Sequence, residues 1–239
     1  MPQKIIIIGA SSGIGKEMAT LFARRGDKIA ITGRRKELLE QLEKTHPGNI
    51  SSFCFDVTQQ GNQEHLETII NALGGLDMLI YNAGFGDAKR ELNWEIERQT
   101  TLTNVYGFVE IINYVFTYFS NQGRGQIVLT SSVAALRGNS WSPAYSASKA
   151  FMSNYAEGLN IKAGRMNRSI VVTDIRPGFI DTKMSKGNGR FWIAPPQKAA
   201  RQIVAAIDRK KRIAYITRRW WLIAQIMKLL PFSIYRRLA

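Results

Sequence analysis

The sequence is poor in the residues that build disulfides and metal sites. Cys54 is the single cysteine, which excludes a disulfide within the chain and is typical of a reducing compartment. The two histidines, His46 and His65, have no companions at the spacing of a metal site. We therefore expect no bound metal.

We expect neither a leader nor a second domain. A strand-like pattern begins at residue 4 without a preceding cleavage site, so we expect no signal peptide and a cytoplasmic location. The 239 residues are enough for one large α/β domain. They are too few for that domain plus a separate substrate domain.

Acidic residues are scarce, and none occurs near the carboxyl end. The chain has 33 Lys and Arg against 18 Asp and Glu, a net charge of +15, and residues 209–239 carry nine of the cations and no acid. We expect one catalytic domain over residues 1–217 and a basic amphipathic extension over residues 218–239. Nucleic acid is not expected as a partner, because no binding motif accompanies the charge.

The extension contains an apolar stretch that is too short to cross a bilayer. It begins at Trp220, is interrupted by Gln225 and Lys228, and is stopped by Pro231. Tryptophans flanked by arginines favour an anionic membrane surface, on the inner face of a membrane. A subunit contact and a lid over the protein's own crevice are the alternatives.

Seven short apolar runs alternate with helical patterns along the chain. This alternation predicts a doubly wound, Rossmann-type α/β fold with a mostly parallel seven-stranded sheet and helices on both faces. The ligand crevice is then expected at the carboxyl ends of the strands. The predicted strands are residues 4–8, 28–32, 50–55, 76–81, 126–130, 169–175 and 212–216.

A glycine-rich turn joins the first strand to the first helix. Four isoleucines run directly into Gly9-Ala10-Ser11-Ser12-Gly13-Ile14-Gly15. We expect Gly9 to permit the tight turn, Gly13 to let the backbone approach a pyrophosphate, and Gly15 to let the helix pack closely. Amide groups at the start of the helix then bind phosphate oxygens. The turn predicts dinucleotide binding.

The second strand ends in a basic pair, Arg34-Arg35. An acid at this position would hold the ribose 2′-hydroxyl of NAD, whereas an arginine accommodates the 2′-phosphate of NADP. The first acid after the strand, Glu37, comes too late to compete. This position predicts NADP(H) in preference to NAD(H), although the glycine loop itself offers only Ser11 and Ser12 and no second cation.

Tyr145 and Lys149 are spaced for proton transfer. Residues i and i+4 share a helical face, so an ammonium would lie beside a phenol. Lowering a phenol pKa from about 10 to near neutrality requires about 4 kcal/mol. A cation about 4 Å away supplies about that much at an effective dielectric of about 20. We therefore expect Lys149 to lower the pKa of Tyr145.

These motifs together resemble the short-chain dehydrogenase/reductase family over roughly residues 4–216. Ser132 lies thirteen residues before Tyr145, which is the spacing of the family's catalytic serine and favours it over Ser131. Ile8 and Tyr81 depart from the common pattern, and we interpret both as packing variation. The further matches are Asp56-Val57, Asn82-Ala83-Gly84, Asn104 and Pro177-Gly178-Phe179-Ile180-Asp181-Thr182.

The resemblance implies a carbonyl reductase or alcohol dehydrogenase. Ser132 is expected to hold the carbonyl oxygen, Tyr145 to act as general acid or base, and Lys149 also to bind the nicotinamide ribose. Asn104 is expected to support Lys149 through a water. The resemblance implies adenine contacts for Asp56 and Val57, and carboxamide contacts for Thr182 and the Ile180 backbone. The other expected cofactor contacts are the glycine-loop residues, Arg34, Arg35, Asn82, Ala83, Gly84, Pro177 and Gly178.

The resemblance also implies a homodimer or homotetramer and a small carbonyl or alcohol substrate. Residues 183–195 are predicted to form a flap that either closes over an apolar ligand or is anchored to the core by Phe191 and Trp192. Gly187 and Gly189 would permit its movement. An apolar wall of Phe85, Trp141 and Phe179 would favour a hydrophobic or lipid-derived substrate. The alternative to an enzyme is a non-catalytic NADP(H)-binding regulatory or scaffold protein on the same fold.

Overall fold

The structure, a computed structural model, describes residues 2–87, 91–182 and 191–237. The predicted seven strands are present, and their ends lie within two residues of the predicted ones. All neighbouring pairs are parallel, so the sheet is wholly rather than mostly parallel. The strands are β1 Lys4–Ile8, β2 Lys28–Gly33, β3 Ile50–Cys54, β4 Met78–Tyr81, β5 Arg124–Thr130, β6 Ser169–Pro177 and β7 Ile213–Ile216.

Helices cover both faces of the sheet. The set comprises α1 Gly13–Arg24, α2 Lys36–Thr45, α3 Asn62–Leu73, α4 Trp94–Thr101, a π-helical turn at Leu102–Tyr106, α5 Gly107–Gln122, a 3₁₀ helix at Val133–Leu136, α6 Pro143–Arg165, α7 Pro196–Asp208, α8 Trp220–Leu229 and α9 Phe232–Tyr235. None of the helices in the described ranges is long and apolar enough to cross a membrane.

The isoleucines of β1 show why this strand lies at the centre. Successive side chains of a strand point to opposite faces. Ile6 and Ile8 pack with α3, α5 and α6, whereas Ile5 and Ile7 pack with α1, α2 and α7. All four are fully buried. Each contributes about 1.5–3 kcal/mol through burial, so this unbroken apolar run is stable only between two layers of helices.

The strand order places the functional crevice. The order is β3-β2-β1-β4-β5-β6-β7. Strands β1 to β3 are therefore added in one direction across the sheet, strands β4 to β7 are added in the other, and the reversal lies between β1 and β4. Ligands of such sheets bind at the carboxyl ends of the strands near this reversal. The glycine loop, Asn82, Ser131 and Ser132, and Gly178 directly follow β1, β4, β5 and β6. The sheet therefore brings most of the predicted site residues together at the carboxyl ends of its strands.

Candidate active site

Close contacts explain the glycines of the loop after β1. Gly9 has φ +86°, and a Cβ there would lie 2.6 Å from the backbone of Ala83. A Cβ on Gly15 would lie 2.2 Å from the carbonyl oxygen of Gly9. The side chain of Asn82 donates to that same oxygen at 2.8 Å. The residues after β4 thus hold the loop in shape, which brings Asn82 and Ala83 to the predicted cofactor side.

Gly13 begins α1 and faces the segment after β6. It has φ +59°, which favours glycine, and its Cβ would lie 3.2 Å from Cγ2 of Thr182. Amides in the first turn of a helix have no acceptor within the helix. The structure therefore brings Thr182 across the crevice from amides that suit a phosphate.

Arg35 supplies the cation that the glycine loop itself lacks. Its guanidinium donates to Ser11 Oγ from Nη2 at 2.7 Å and from Nε at 3.2 Å, and to Ser12 Oγ from Nη2 at 2.7 Å. Arg34 lies 3.5 Å from the carboxylate of Asp56. Both arginines are exposed at the end of β2. They place two positive charges beside the loop.

Asp56 and Val57 have structural partners of their own. One carboxylate oxygen of Asp56 accepts from the backbone N–H and the hydroxyl of Thr58, both at 3.0 Å. Val57 is buried in the core, and its carbonyl accepts from Asn62 at 3.1 Å. The pair shapes this end of the crevice. Adenine contact by these residues stays a prediction.

Asn104 lies in the π-helical turn between α4 and α5. Such turns are frequent at functional sites. Its fully buried amide accepts from the backbone N–H of Phe85 at 2.8 Å and donates to the carbonyl of Phe85 at 2.8 Å. It also donates to Ser148 Oγ at 2.9 Å. Asn104 therefore fixes the loop after Gly84 and the neighbour of Lys149, while its link to Lys149 through a water stays a prediction.

The neighbouring serines have different roles. Ser131 Oγ bonds to the carboxylate of Asp174 and to the carbonyl of Ile175, within the protein interior. Ser132 directly precedes the 3₁₀ helix and accepts from Ala134 N–H at 3.1 Å, and its hydroxyl lies close enough to Tyr145 to lower the pKa of that phenol. The choice of Ser132 over Ser131 agrees with this geometry.

Tyr145 and Lys149 lie on one face of α6, as predicted. Lys149 Nζ lies 5.7 Å from the centre of the Tyr145 ring and donates to the carbonyl of Thr130 at 2.8 Å. A Cβ on Gly86 would lie 2.3 Å from Tyr145 Cδ2. Gly86, which the sequence motifs did not indicate, thus lets the loop after β4 pack against the tyrosine.

The predicted direction of the Tyr145 pKa is wrong. Burial raises the pKa of Tyr145, and the hydrogen bond with Ser132 lowers it only in part. Burial also lowers the pKa of Lys149 to about 8, against an opposing effect of Asp174. Both shifts have one cause, because a poorly solvated site disfavours the tyrosinate and the ammonium alike. The spacing in the sequence shows the lysine charge, but it does not show this desolvation.

A buried cluster behind Lys149 is a second feature that the motifs did not indicate. Asp174 accepts from Ser153 Oγ at 2.8 Å and from Arg176 Nε at 2.7 Å, in addition to Ser131. Arg176 also donates to the Tyr215 hydroxyl at 3.2 Å. These side chains connect β6 and β7 to the helix that carries Tyr145. No sequence motif marks them, since a buried ion pair has no fixed spacing.

An aromatic cluster closes the β6 side of the crevice. The rings of Phe179 and Phe191 have centres 5.4 Å and 5.0 Å from the Trp220 ring, and Trp192 lies at 6.3 Å. A Cβ on Gly178 would lie 2.0 Å from the Trp220 indole. Phe191 and Trp192 are thus anchored on Trp220, although 46% and 41% of their surfaces stay exposed.

The remaining predicted contacts are placed unevenly. Ile180 is buried and bridges to Ala194, and Pro177 ends β6. Trp141 is 52% exposed, so it does not form a closed wall with Phe85 and Phe179. The predicted flap glycines, Gly187 and Gly189, lie outside the described residues. Ile8 and Tyr81 are fully buried, as expected for packing variation.

Known proteins share this sequence and fold. The family model for short chain dehydrogenase matches residues 3–191. An uncharacterized oxidoreductase of Mycobacterium tuberculosis is 31% identical over 250 residues, covering 99% of this chain and 97% of the relative. The 11-beta-hydroxysteroid dehydrogenase 1A of Arabidopsis thaliana is 29% identical over 244 residues, covering 91% of this chain and 68% of the relative.

A solved structure gives the same fold. It is a short chain dehydrogenase of Burkholderia cenocepacia in complex with NADP, with a TM-score of 0.84 at 22% identity, covering 99% of this chain and 97% of that one. With the family model spanning most of the sequence, these similarities establish that the chain belongs to the short-chain dehydrogenase/reductase family and is an NAD(P)-dependent oxidoreductase.

Proposed function

We propose that the protein interconverts a carbonyl and an alcohol with NADP(H), and that Tyr145 is the general acid and base. The observation that carries this proposal is the proximity of Tyr145 to both Ser132 and Lys149 at the carboxyl ends of the strands. Lys149 lies behind the same ring, and the glycine loop lies at the same edge of the sheet.

The residues of the chain divide the reduction between them. Ser132 would hydrogen-bond the carbonyl oxygen, and Tyr145 would donate its proton to that oxygen as negative charge develops. When bound, NADPH supplies the hydride. Lys149, whose pKa is about 8, is mostly protonated at neutral pH and would stabilise the tyrosinate that remains.

The raised pKa of Tyr145 suits its proposed role as proton donor in the reduction. A phenol with a raised pKa keeps its proton at neutral pH, which is the state that a general acid needs. Oxidation requires the same group to begin as tyrosinate, so we expect the oxidative rate to increase with pH well beyond neutrality.

The preference for NADP(H) is part of the proposal. Arg34 and Arg35 would receive the 2′-phosphate, and Arg35 is already oriented by Ser11 and Ser12. Glu37, the first acid after β2, lies on α2 beyond both arginines. The neighbour of known structure that holds NADP supports a nicotinamide cofactor, and the arginines support its phosphorylated form.

We further propose an apolar substrate. Phe179 lies against Trp220 beside the crevice, and Phe191 continues this aromatic surface outward. A relative is named for a hydroxysteroid, which is an apolar alcohol. Assembly as a dimer or tetramer, the boundary at residue 217, and a place on the cytoplasmic face of a membrane stay predictions.

The direct test follows NADPH consumption over a panel of carbonyl compounds. Short aldehydes, steroids, quinones and 3-oxoacyl thioesters cover the relevant sizes and polarities. Tyr145→Phe should lower kcat by about 10²–10⁴ because the proton donor is lost, while NADPH binding is kept. Tyr114→Phe, on α5 and outside the site, is the matched control and should keep full activity.

Two results would contradict the proposal. Full activity in Tyr145→Phe would exclude the tyrosine as proton donor. Tight NADPH binding by the wild-type chain without turnover of any compound would favour the non-catalytic alternative instead.

A further inference from the structure

The C-terminal extension has one face packed on the domain and one face exposed. On the packed face, Trp220 is 3% exposed and Ala224 is fully buried. On the outer face, Trp221 and Leu222 are 55% and 54% exposed, and Leu229 reaches 83%. Within the described part of the extension, packing on the domain therefore leaves several large apolar side chains exposed.

Arg137 holds the packed face in place. Its guanidinium donates to the carbonyl oxygens of Met227 at 3.0 Å and Leu230 at 2.9 Å, at the end of α8. It also lies 4.4 Å from the centre of the Tyr235 ring, and the Tyr235 hydroxyl donates to the carbonyl of Gly138 at 2.7 Å. Because Arg137 directly follows the 3₁₀ helix that Ser132 precedes, the extension is fixed beside the candidate active site.

The outer face has the composition of a helix that lies at a membrane surface. Phe232, in α9, is 71% exposed and adds to the apolar side chains of α8. Single exposed apolar residues are ordinary, but a cluster of large ones marks an interaction surface. Exposed cations accompany the cluster: Arg218, Arg219, Lys228, Arg236 and Arg237.

Charge decides which partner suits this face. Residues 209–239 carry nine Lys and Arg and no acid, so a second copy would present the same positive charge and be repelled. An anionic lipid surface attracts each such cation and accepts the apolar side chains below its headgroups. An anionic lipid surface therefore matches both the positive charge and the apolar side chains of the face, whereas a second copy matches only the apolar side chains.

The exposed apolar surface continues to the mouth of the crevice. Arg219 donates to the carbonyl of Trp192 at 2.9 Å, and its guanidinium lies 5.0 Å from the centre of that ring. Phe191 and Trp192 pack on Trp220, whose other neighbours are Phe179 and Gly178 in the crevice. A membrane bound by the outer face would therefore meet the β6 side of the crevice.

We propose that the outer face of α8 and α9 docks on an anionic lipid surface and holds the mouth of the crevice against it, so that an apolar substrate enters from the membrane. The docking is independent of the reaction. The route of the substrate rests on the proposed function.

The test measures co-sedimentation of the full chain with vesicles. We expect binding to phosphatidylcholine vesicles that contain phosphatidylserine, and little binding to phosphatidylcholine alone. The variant Lys228→Gln/Arg236→Gln should bind about thirtyfold more weakly, since each cation near an anionic surface contributes about a factor of five. Arg165→Gln/Arg168→Gln removes two exposed charges at the opposite edge of the sheet and should bind as the wild type does.

A second variant, Trp221→Ser/Leu229→Ser/Phe232→Ser, tests the apolar contribution. It should lose vesicle binding at all salt concentrations, while its reduction of a short soluble aldehyde stays at the wild-type rate. With a long-chain carbonyl dissolved in the vesicles, only the wild type should be accelerated by phosphatidylserine.

Each remaining outcome overturns a separate part of the proposal. If the Lys228→Gln/Arg236→Gln variant and the apolar variant both bind vesicles as the wild type does, docking by this face is refuted. If the wild type is a dimer, the apolar variant is a monomer and neither protein binds vesicles, the outer face is a subunit contact instead. Binding without any turnover would leave the docking intact and refute the proposed function instead.

Discussion

Replacement of Lys149 by methionine should make the protein more stable while it removes activity. The folded protein loses the Lys149 proton near pH 8, whereas the unfolded chain keeps it to about 10.5. At neutral pH the folded state therefore bears the full cost of burying an ammonium, about 3 kcal/mol at 1.36 per pKa unit. Lys149 is only 3% exposed, so solvent screening does not reduce this figure much.

The variant also loses a hydrogen bond. Lys149 Nζ donates to the carbonyl of Thr130 at 2.8 Å, and leaving this buried acceptor without a partner costs about 2 kcal/mol. The net gain at pH 7 is then about 1 kcal/mol in the free energy of unfolding. For a chain of this size, it corresponds to an increase in Tm of roughly 2–4 °C.

The sign of the pH dependence provides a stricter check. Between pH 8 and 10.5 the unfolded chain binds more protons than the folded protein, so wild-type stability increases with pH relative to Lys149→Met. Urea unfolding of both proteins from pH 7 to 10.5 should show the difference shrinking across this window. Lys162→Met, on the exposed side of the same helix, should change stability by less than about 0.5 kcal/mol.

Two results would refute this reasoning. A Lys149→Met protein that is less stable than the wild type at pH 7 would show that the buried ammonium is well compensated. A stability difference that stays constant from pH 7 to 10.5 would show that Lys149 does not titrate there.

Three further substitutions test other parts of the site. Arg35→Ser should raise the KM for NADPH about tenfold or more and leave the KM for NADH nearly unchanged, because a charged hydrogen bond contributes about 1.5–3 kcal/mol. Arg24→Ser is the control. Equal effects of Arg35→Ser on both cofactors would exclude a contact of Arg35 with the 2′-phosphate. Gly178→Ala should lower the free energy of unfolding by about 1–3 kcal/mol through its clash with Trp220, whereas Gly158→Ala, which meets open space, should not destabilise, as urea titration would show. Asp174→Asn should lower the pKa of Lys149 further, so a limb of the pH–rate profile should move below its wild-type position, and an unshifted limb would refute the coupling.

Periodicity and short motifs predicted the parts of the structure that depend on neighbouring residues. The isoleucines of β1 are stable only in a strand that is covered by apolar side chains on both faces. The glycines that follow allow other backbone segments to approach closely. The pairing of Tyr145 with Lys149 follows from one helical turn. For such features the sequence carries the physical cause directly.

The features that were missed depend on contacts between distant segments. The pKa of Tyr145 is set by desolvation, which requires knowing that the loop at Gly86 covers the ring. The salt bridge of Asp174 with Arg176 and the stacking of Trp220 on Gly178 carry no periodic signal. The position of the extension on the domain likewise depends on Arg137, whose hydrogen-bond partners lie some ninety positions further along the chain.

The π-helical turn at Leu102–Tyr106 has a consequence for how this chain tolerates change. A π turn contains one residue more than an α turn, so it can be converted to regular helix by a single deletion. Such a deletion would leave the preceding helix in nearly the same orientation relative to α5, because the wider turn already absorbs the extra residue, but it would change where the residues of the turn point. Asn104 would then lose both of its bonds to Phe85, while the core positions of α5 would be preserved. Insertions and deletions at this turn are therefore expected to displace Asn104 before they disturb the core packing of α5.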